Sequence, residues 1–474
     1  MTIPNGLIPS EKDICYLGAQ QALELFRTGE LSPVELLQAQ IERAEEVEPQ
    51  INAFTETFFE SAMEQARCAE RRYLARSEDV RPLEGLSVTV KDILDQKGAR
   101  TTYGSLIYRD NIASQDHPVV TRIKQAGGII HARTATSELA FGWVTATRLW
   151  GVTRNPWNID LTPGGSSGGA AASLAAGTST FAIGSDSAGS IRVPAALCGV
   201  VGYKPPTGRV PDPVEGYDTY NVIGPMARQV ADCALLQNVI SGVHPSDIAS
   251  LRDRIEVPSE FPVSSRLRLA LATDLGKTAP ADNILRVIYR LVDRMRCSGC
   301  IVDEPVIDWP SSVSENAKFY AVGLVADSLK RLLESHRADV CGYILSAARI
   351  AASCPPSIYS DAAAVARQLY TAVSGILEDY DALICPVVLT NRIGAEQMPW
   401  QPNFVNGTRL DSDYDWVVTP HFNMLGQLPA MSVPIGVDEN GIPVGIQIVT
   451  RSFDDVRAFQ VGVAIEKNVS YFSS

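Results

Sequence analysis

Histidine is scarce in this chain. The 474 residues hold five, His117, His131, His244, His336 and His421, and none sits in a motif that assigns it catalytic work. A Ser–His–Asp triad requires a histidine base, so ordinary serine-hydrolase chemistry has little to draw on. Positive charge is also short: 41 Lys and Arg stand against 54 Asp and Glu, a formal net charge of −13 with no basic run. That balance argues against nucleic acid and anionic membrane surfaces as partners. The opening MTIPNGLIPSEKDICYLG has neither a basic start nor an apolar stretch long enough for export, which predicts no secretory signal and a cytoplasmic location. The longest uncharged stretch, 161–185, is mostly Gly, Ser, Ala and Thr with Pro163, and lacks the bulky apolar side chains of a membrane span. Nine cysteines, an odd number, predict reduced thiols rather than a disulfide framework. Cys297 and Cys300 form a lone CxxC with no second pair and no histidines at zinc spacing, so no metal is expected.

What is present is the composition of a folded, enzyme-sized body, 45% hydrophobic and 20% charged. Residues 15–80 read as helices. Within them Ser32, Pro33 and Glu35 have the side chains of a capping box, followed by Leu37, Ile41 and Ala44 at helical spacing. From about residue 86 the pattern changes to short β-rich runs at 86–90, 128–132, 180–184, 267–272, 381–387, 431–436 and 445–450, separated by helical segments. That alternation predicts an α/β sheet protein. Long helices are expected at 282–296, 315–336 and 360–379, and a loop over the polar, Pro- and Asn-containing 391–418. With no linker-like break and no repeat, one domain over 1–474 is expected, with 245–420 as its variable part.

Two serine-bearing turns then stand out. TPGGSSGG (162–169) opens onto an alanine-rich helix and could hold a phosphate on its backbone N–H groups. It lacks a following Lys-Ser/Thr and any G-x-G-x-x-G register, which weighs against a nucleotide. Gly164-x-Ser166-x-Gly168 also matches a nucleophile elbow, but that motif needs a strand before the serine, and NPWNIDLTP precedes it here. The second turn, SDSAGSIR (185–192), follows a predicted strand. There, successive N–H groups can converge beside the Ser190 hydroxyl as an oxyanion hole; the alternative is a plain serine-rich β-turn. LSVTVKD (86–92) ends an apolar strand on Lys91, either a partly desolvated amine able to act as a base or a lysine leaving the strand for solvent.

Together these stretches resemble the amidase signature family. Its core, a GGSSGG loop, a small-residue helix, a short strand and a glycine–serine turn, stands here as GGSSGGAAASLAAGTSTFAIGSDSAGSIRVPAA. Further matches are RPLEGLSVTVKD (81–92), TRNPWN (153–158), GVVGYKPPTGRVP (199–211), GPMARQVADCALL (224–236) and PAMSVPIGVDENGIPVGIQIV (429–449). The resemblance covers about 15–240 and 380–467. It implies a single-domain mixed β-sheet covered by helices on both faces, hydrolysis of a small-molecule carboxylic amide, and no cofactor. It also implies a Ser–Ser–Lys triad: Ser190 as nucleophile, Ser166 as the bridging serine after a cis peptide, Lys91 as base. The N–H groups of Ser187, Ala188, Gly189 and Ser190 would form the oxyanion hole, with Asp186 and Arg192 as structural supports. Two serine turns and a lysine then replace the missing histidine.

Departures from the family pattern bear on the substrate. Ala188 and Ala170 stand where Gly and Ser are common, and VTATR (144–148) replaces a polar run, putting Trp143 and Arg148 near the substrate side. Phe319, Tyr320, Trp400 and Trp416 are further candidates for pocket walls. The alternatives are a glutamine-hydrolysing A-type subunit of an amidotransferase, for which the acidic residue sought near Asp415 and Trp416 does not align cleanly, and a non-catalytic receptor or scaffold on the same fold. A homodimer is left open.

Overall fold

A computed structural model describes residues 14–213, 218–258, 260–261 and 266–469; the first thirteen residues, where a leader would begin, lie outside it. Its strands are β1 (Phe54–Thr57), β2 (Ser87–Lys91), β3 (Ile129–Thr134), β4 (Ala146–Thr147), β5 (Gly151–Val152), β6 (Phe181–Asp186), β7 (Val201–Lys204) and β8 (Val222–Ala227). There follow β9 (Arg268–Leu271), β10 (Ile301–Asp303), β11 (Ala382–Pro386), β12 (Asn403–Val405), β13 (Thr408–Leu410), β14 (Ala430–Val437) and β15 (Pro443–Val449). Eleven of them form one sheet in the order β1-β3-β2-β6-β8-β7-β14-β15-β11-β9-β10, while β4–β5 and β12–β13 are separate hairpins. The sheet is mixed: β2 runs parallel to β3 and β6, β9 to β10 and β11, and the remaining pairs are antiparallel. Helices flank it, and this is the single α/β domain that the alternation predicts.

One apolar cluster runs the length of the sheet, joining Val88 and Phe181 to Ile223, Val433, Ile448, Leu269 and Ile384. Burial of such side chains stabilises by about 1.5–3 kcal/mol each, and this one cluster spans the sheet from β2 to β9. The alanine-rich helix Gly168–Ala175 is buried at every residue. Its small side chains let it lie close against neighbouring backbone: a Cβ at Gly169 would sit 2.5 Å from the Ala135 nitrogen. Ser32 caps the helix Pro33–Ile51 as its side chain predicts, accepting from Val34 N and Glu35 N at 3.1 Å while Glu35 accepts from Ser32 N at 2.8 Å.

Three expectations need correcting. Residues 15–80 are not all helical, because β1 (Phe54–Thr57) lies between the helices Pro33–Ile51 and Phe59–Leu74 and pairs antiparallel with β3 at the sheet edge. The helix expected over 315–336 is two, Val313–Leu324 and Ala326–His336, broken at Val325 with φ −105° and ψ 7°. The segment 391–418 is not all loop, because it contains the β12–β13 hairpin and a short 3-10 turn at Asp413–Asp415.

Candidate active site

The parallel pairing of β2 with β6 brings their C-terminal ends side by side. Lys91 ends β2, Ser185 and Asp186 end β6, and the GGSSGG loop crosses above both. Lys91 Nζ lies 2.6 Å from Ser166 Oγ and 2.8 Å from Ser185 Oγ, and the residue is fully buried. Burial pulls its pKa down to about 7, against the upward pull of the Asp186 charge; a neutral amine is therefore well populated near neutrality. The Gly165–Ser166 peptide is cis.

The turn that follows β6 is organised by Asp186. Its carboxylate accepts from Gly189 N at 2.7 Å and from Ile191 N at 3.3 Å, and pairs with Arg192 Nε and Nη2 at 2.9 Å. Arg192 also donates to Thr419 O at 3.2 Å, to Asn423 Oδ1 at 2.5 Å and to Gln447 Oε1. Burial raises the Asp186 carboxyl, but the charge and hydrogen bonds of Arg192, helped by Asn423 and Lys204, outweigh it and hold the group ionised, well below the usual carboxylate range. Both residues thus support the turn, as their positions suggested.

This hub corrects the expected oxyanion hole. The Gly189 N–H is committed to Asp186 and is not free for a substrate. Among the described residues, the N–H groups of Ser187, Ala188 and Ser190 make no internal hydrogen bond and remain available. Gly189 instead serves conformation, with φ +114° and a Cβ position that would overlap Thr419 Oγ1. The Ser190 hydroxyl likewise has no partner among the described residues; the residue is 8% exposed and opens onto a cleft of about 170 Å³. Ser167 N donates to Ser190 O at 3.1 Å, which ties the two serine turns together through the backbone.

The model of the amidase family matches residues 35–459. The chain belongs to this family. Its members are hydrolases that act on amide bonds, and this chain is one. It is 32% identical to an acylamidase of Rhodococcus erythropolis, with 96% of each chain covered. It is equally 32% identical to a glutamyl-tRNA(Gln) amidotransferase subunit of Carboxydothermus hydrogenoformans, covering 97% of this chain and 98% of that one. Among solved structures it resembles a bacterial aryl acylamidase of the amidase signature enzymes, with a TM-score of 0.86 at 26% identity and 96% of both chains covered. No helix among the described residues is long and apolar enough to cross a membrane.

In this amidase the histidines stand apart from the cleft. Burial lowers His131 to about 4, between the Val88 and Thr178 carbonyls, and His421 to about 3, near the Leu275 carbonyl. Of the expected pocket walls, Trp143, Tyr320 and Trp400 line the cleft beside Ser187, Ala188 and Ser190. Arg148, Phe319 and Trp416 do not. Arg148 turns outward, donating to the Ala338 and Val340 carbonyls. Phe319 lies under the Lys318 ammonium at 5.5 Å. Trp416, 2% exposed, packs edge-on behind Trp143 as core. Sequence reasoning missed Phe141, Asp218, Tyr220, Asp413 and Tyr414 on the cleft. It also missed Ser185, the second partner of Lys91, although SDSAGS displays it beside the turn. Asp413 lies two positions before Asp415, in the acidic run DSDYD.

Proposed function

We propose that the protein hydrolyses a small carboxylic amide through an acyl-enzyme on Ser190, with Lys91 and Ser166 relaying the proton. The observation that carries this reading is the buried Lys91 amine in hydrogen-bond contact with Ser166, its pKa lowered to about 7. Neutral Lys91 accepts the Ser166 hydroxyl proton, Ser166 takes the Ser190 proton, and Ser190 Oγ bonds to the amide carbon. The carbonyl oxygen becomes an oxyanion facing the free N–H groups of Ser187, Ala188 and Ser190. Collapse breaks the C–N bond, the relayed proton leaves with ammonia or an amine, and water then repeats the sequence on the ester to release the acid. Ser166 and Ser190 share no hydrogen bond among the described residues, so substrate binding must close that last link, as apo catalytic contacts often require.

Glutamine hydrolysis for a partner protein is the second reading, favoured by the similarity to an amidotransferase subunit. The cleft argues against it: among the described residues no Lys or Arg lines it to pair with the α-carboxylate of glutamine. The deciding experiment gives the purified chain primary, aryl and peptide amides with neither ATP nor a second protein, and traps the adduct by mass spectrometry. Turnover with an acyl adduct on Ser190 is expected. Activity on glutamine alone, and only with a second protein present, would overturn the reading.

A further inference from the structure

One wall of the cleft holds a carboxylate with no cationic partner among the described residues. Asp413 is 3% exposed and lines the same cleft as Ser190, and neither of its oxygens accepts from a side chain among the described residues. Leaving a buried polar group unsatisfied is costly, on the order of 1–3 kcal/mol and more for a charge, so such a group calls for an explanation. Burial pushes its carboxyl up to about 7, against the nearby N–H groups of its own residue, Trp143 and Tyr414, while Asp415 adds like charge. A second acid, Asp218, lines the cleft too, with one oxygen accepting from Tyr220 N at 2.9 Å.

The remaining surface is aromatic. Trp143 meets Tyr414 edge-on at 4.7 Å, Trp400 lies 5.7 Å from Tyr414, and Tyr220 stacks on Tyr320 at 3.8 Å. Among the described residues no basic side chain lines the cleft. Lys277 lies behind the wall, donating to the Tyr414 and Val417 carbonyls, and is absent from the lining. Acidic groups among aromatic rings attract a cation, since ring faces carry negative potential, and they repel an anion. The cavity, about 170 Å³, is smaller than the ~300–1,000 Å³ of drug-sized ligand sites, so the occupant is small.

We propose that Asp413 is a specificity-determining residue that pairs with an ammonium group on the acyl chain of the substrate, making this an amidase for small amino-bearing amides. The inference rests on the amidase reading above, because it assumes that the cleft holds the acyl chain while Ser190 attacks its carbonyl. A cation at Asp413 supplies the missing counter-charge, favours the ionised carboxylate, and offsets the cost of its burial. It also fixes the distance between recognised charge and reacting carbonyl, which is how remote contacts align a substrate.

The test compares 5-aminopentanamide and its shorter and longer homologues with two near-isosteres, hexanamide and 5-hydroxypentanamide. Wild type should favour the best ammonium compound over both neutral ones by at least ~10-fold in kcat/KM, the scale of a hydrogen bond to a charged group. In Asp413→Asn that ratio should fall at least ~10-fold. The ratio is the readout because a damaged fold slows all three substrates together. No preference in wild type, a hydroxyl compound as good as the ammonium, or a ratio untouched by Asp413→Asn each overturns the proposal. Calorimetric binding of the same amides to Ser190→Ala separates it from the reaction: ammonium preference without any hydrolysis by wild type would overturn the acyl-enzyme reading and leave the cation site standing.

Discussion

Lys91 faces two conflicting demands. Its position under Ser166 requires full burial, and burial disfavours the charge that a lysine carries in water. The conflict is resolved by losing the proton: with a pKa near 7 instead of the usual ~10.4, the side chain spends much of its time as a free amine. Activity should therefore rise with pH along one ionisation near 7, because the protonated form is inactive as a base. Lys91→Arg should be nearly as damaging as Lys91→Ala, at least ~10²-fold each in kcat/KM, since a guanidinium does not give up its proton. Substantial rescue by Arg, or a flat profile with chemistry rate-limiting, would show that Lys91 acts only as a cation. The serines give a second check at this scale. Members of a relay fail as a unit, so Ser166→Ala combined with Ser190→Ala should be no slower than Ser190→Ala alone, and multiplicative losses in kcat would argue for separate roles.

At the level of elements, the site depends on the turn after β6 more than on any one strand. Gly189 holds a left-handed conformation at φ +114° against Thr419. Gly189→Ala should destabilise the fold by about 1–3 kcal/mol and displace the Ser187, Ala188 and Ser190 amides; urea unfolding and kcat on one amide would measure both effects. Much of this was readable beforehand. Lys91 ends an apolar run and Ser190 follows another, which puts both at strand ends, and the resemblance to the amidase signature family is what implies their roles. Among the sheet strands that the patterning does not show, β1 and β10 are only four and three residues long, while β7 and β8 carry Gly202, Gly224 and Pro225, residues that punctuate chains elsewhere and here sit inside a sheet. The role of Gly189 is not legible in the sequence, because a turn's sequence does not say which amide points inward to Asp186 and which outward. Asp413 was invisible for a related reason: nothing in DSDYDW distinguishes a carboxylate buried without a partner from one in water.

For the whole molecule, buried lysines impose a pH signature on stability. Lys91 and Lys204 both titrate near 7 when folded, lowered chiefly by burial, and near ~10.4 when unfolded. Between those values the unfolded chain binds more protons, so each lysine contributes stability that increases with pH. Replacing one removes its share: the stability of wild type relative to Lys91→Met should climb by up to about 1.4 kcal/mol per pH unit from pH 7 toward pH 10. Denaturant titrations of both proteins at pH 7, 8 and 9 would read the slope, and a constant difference would mean that Lys91 is charged in the native state. The Asp186–Arg192 hub has a consequence of another kind. Its grip depends on Thr419, Asn423 and Gln447, more than two hundred residues further along the chain. As the polypeptide leaves the ribosome, Lys91, Ser166 and Ser190 all emerge long before the segment that clamps the nucleophile's turn. A nascent or truncated chain thus carries its reactive serine disarmed, and becomes an enzyme only when its last strands arrive.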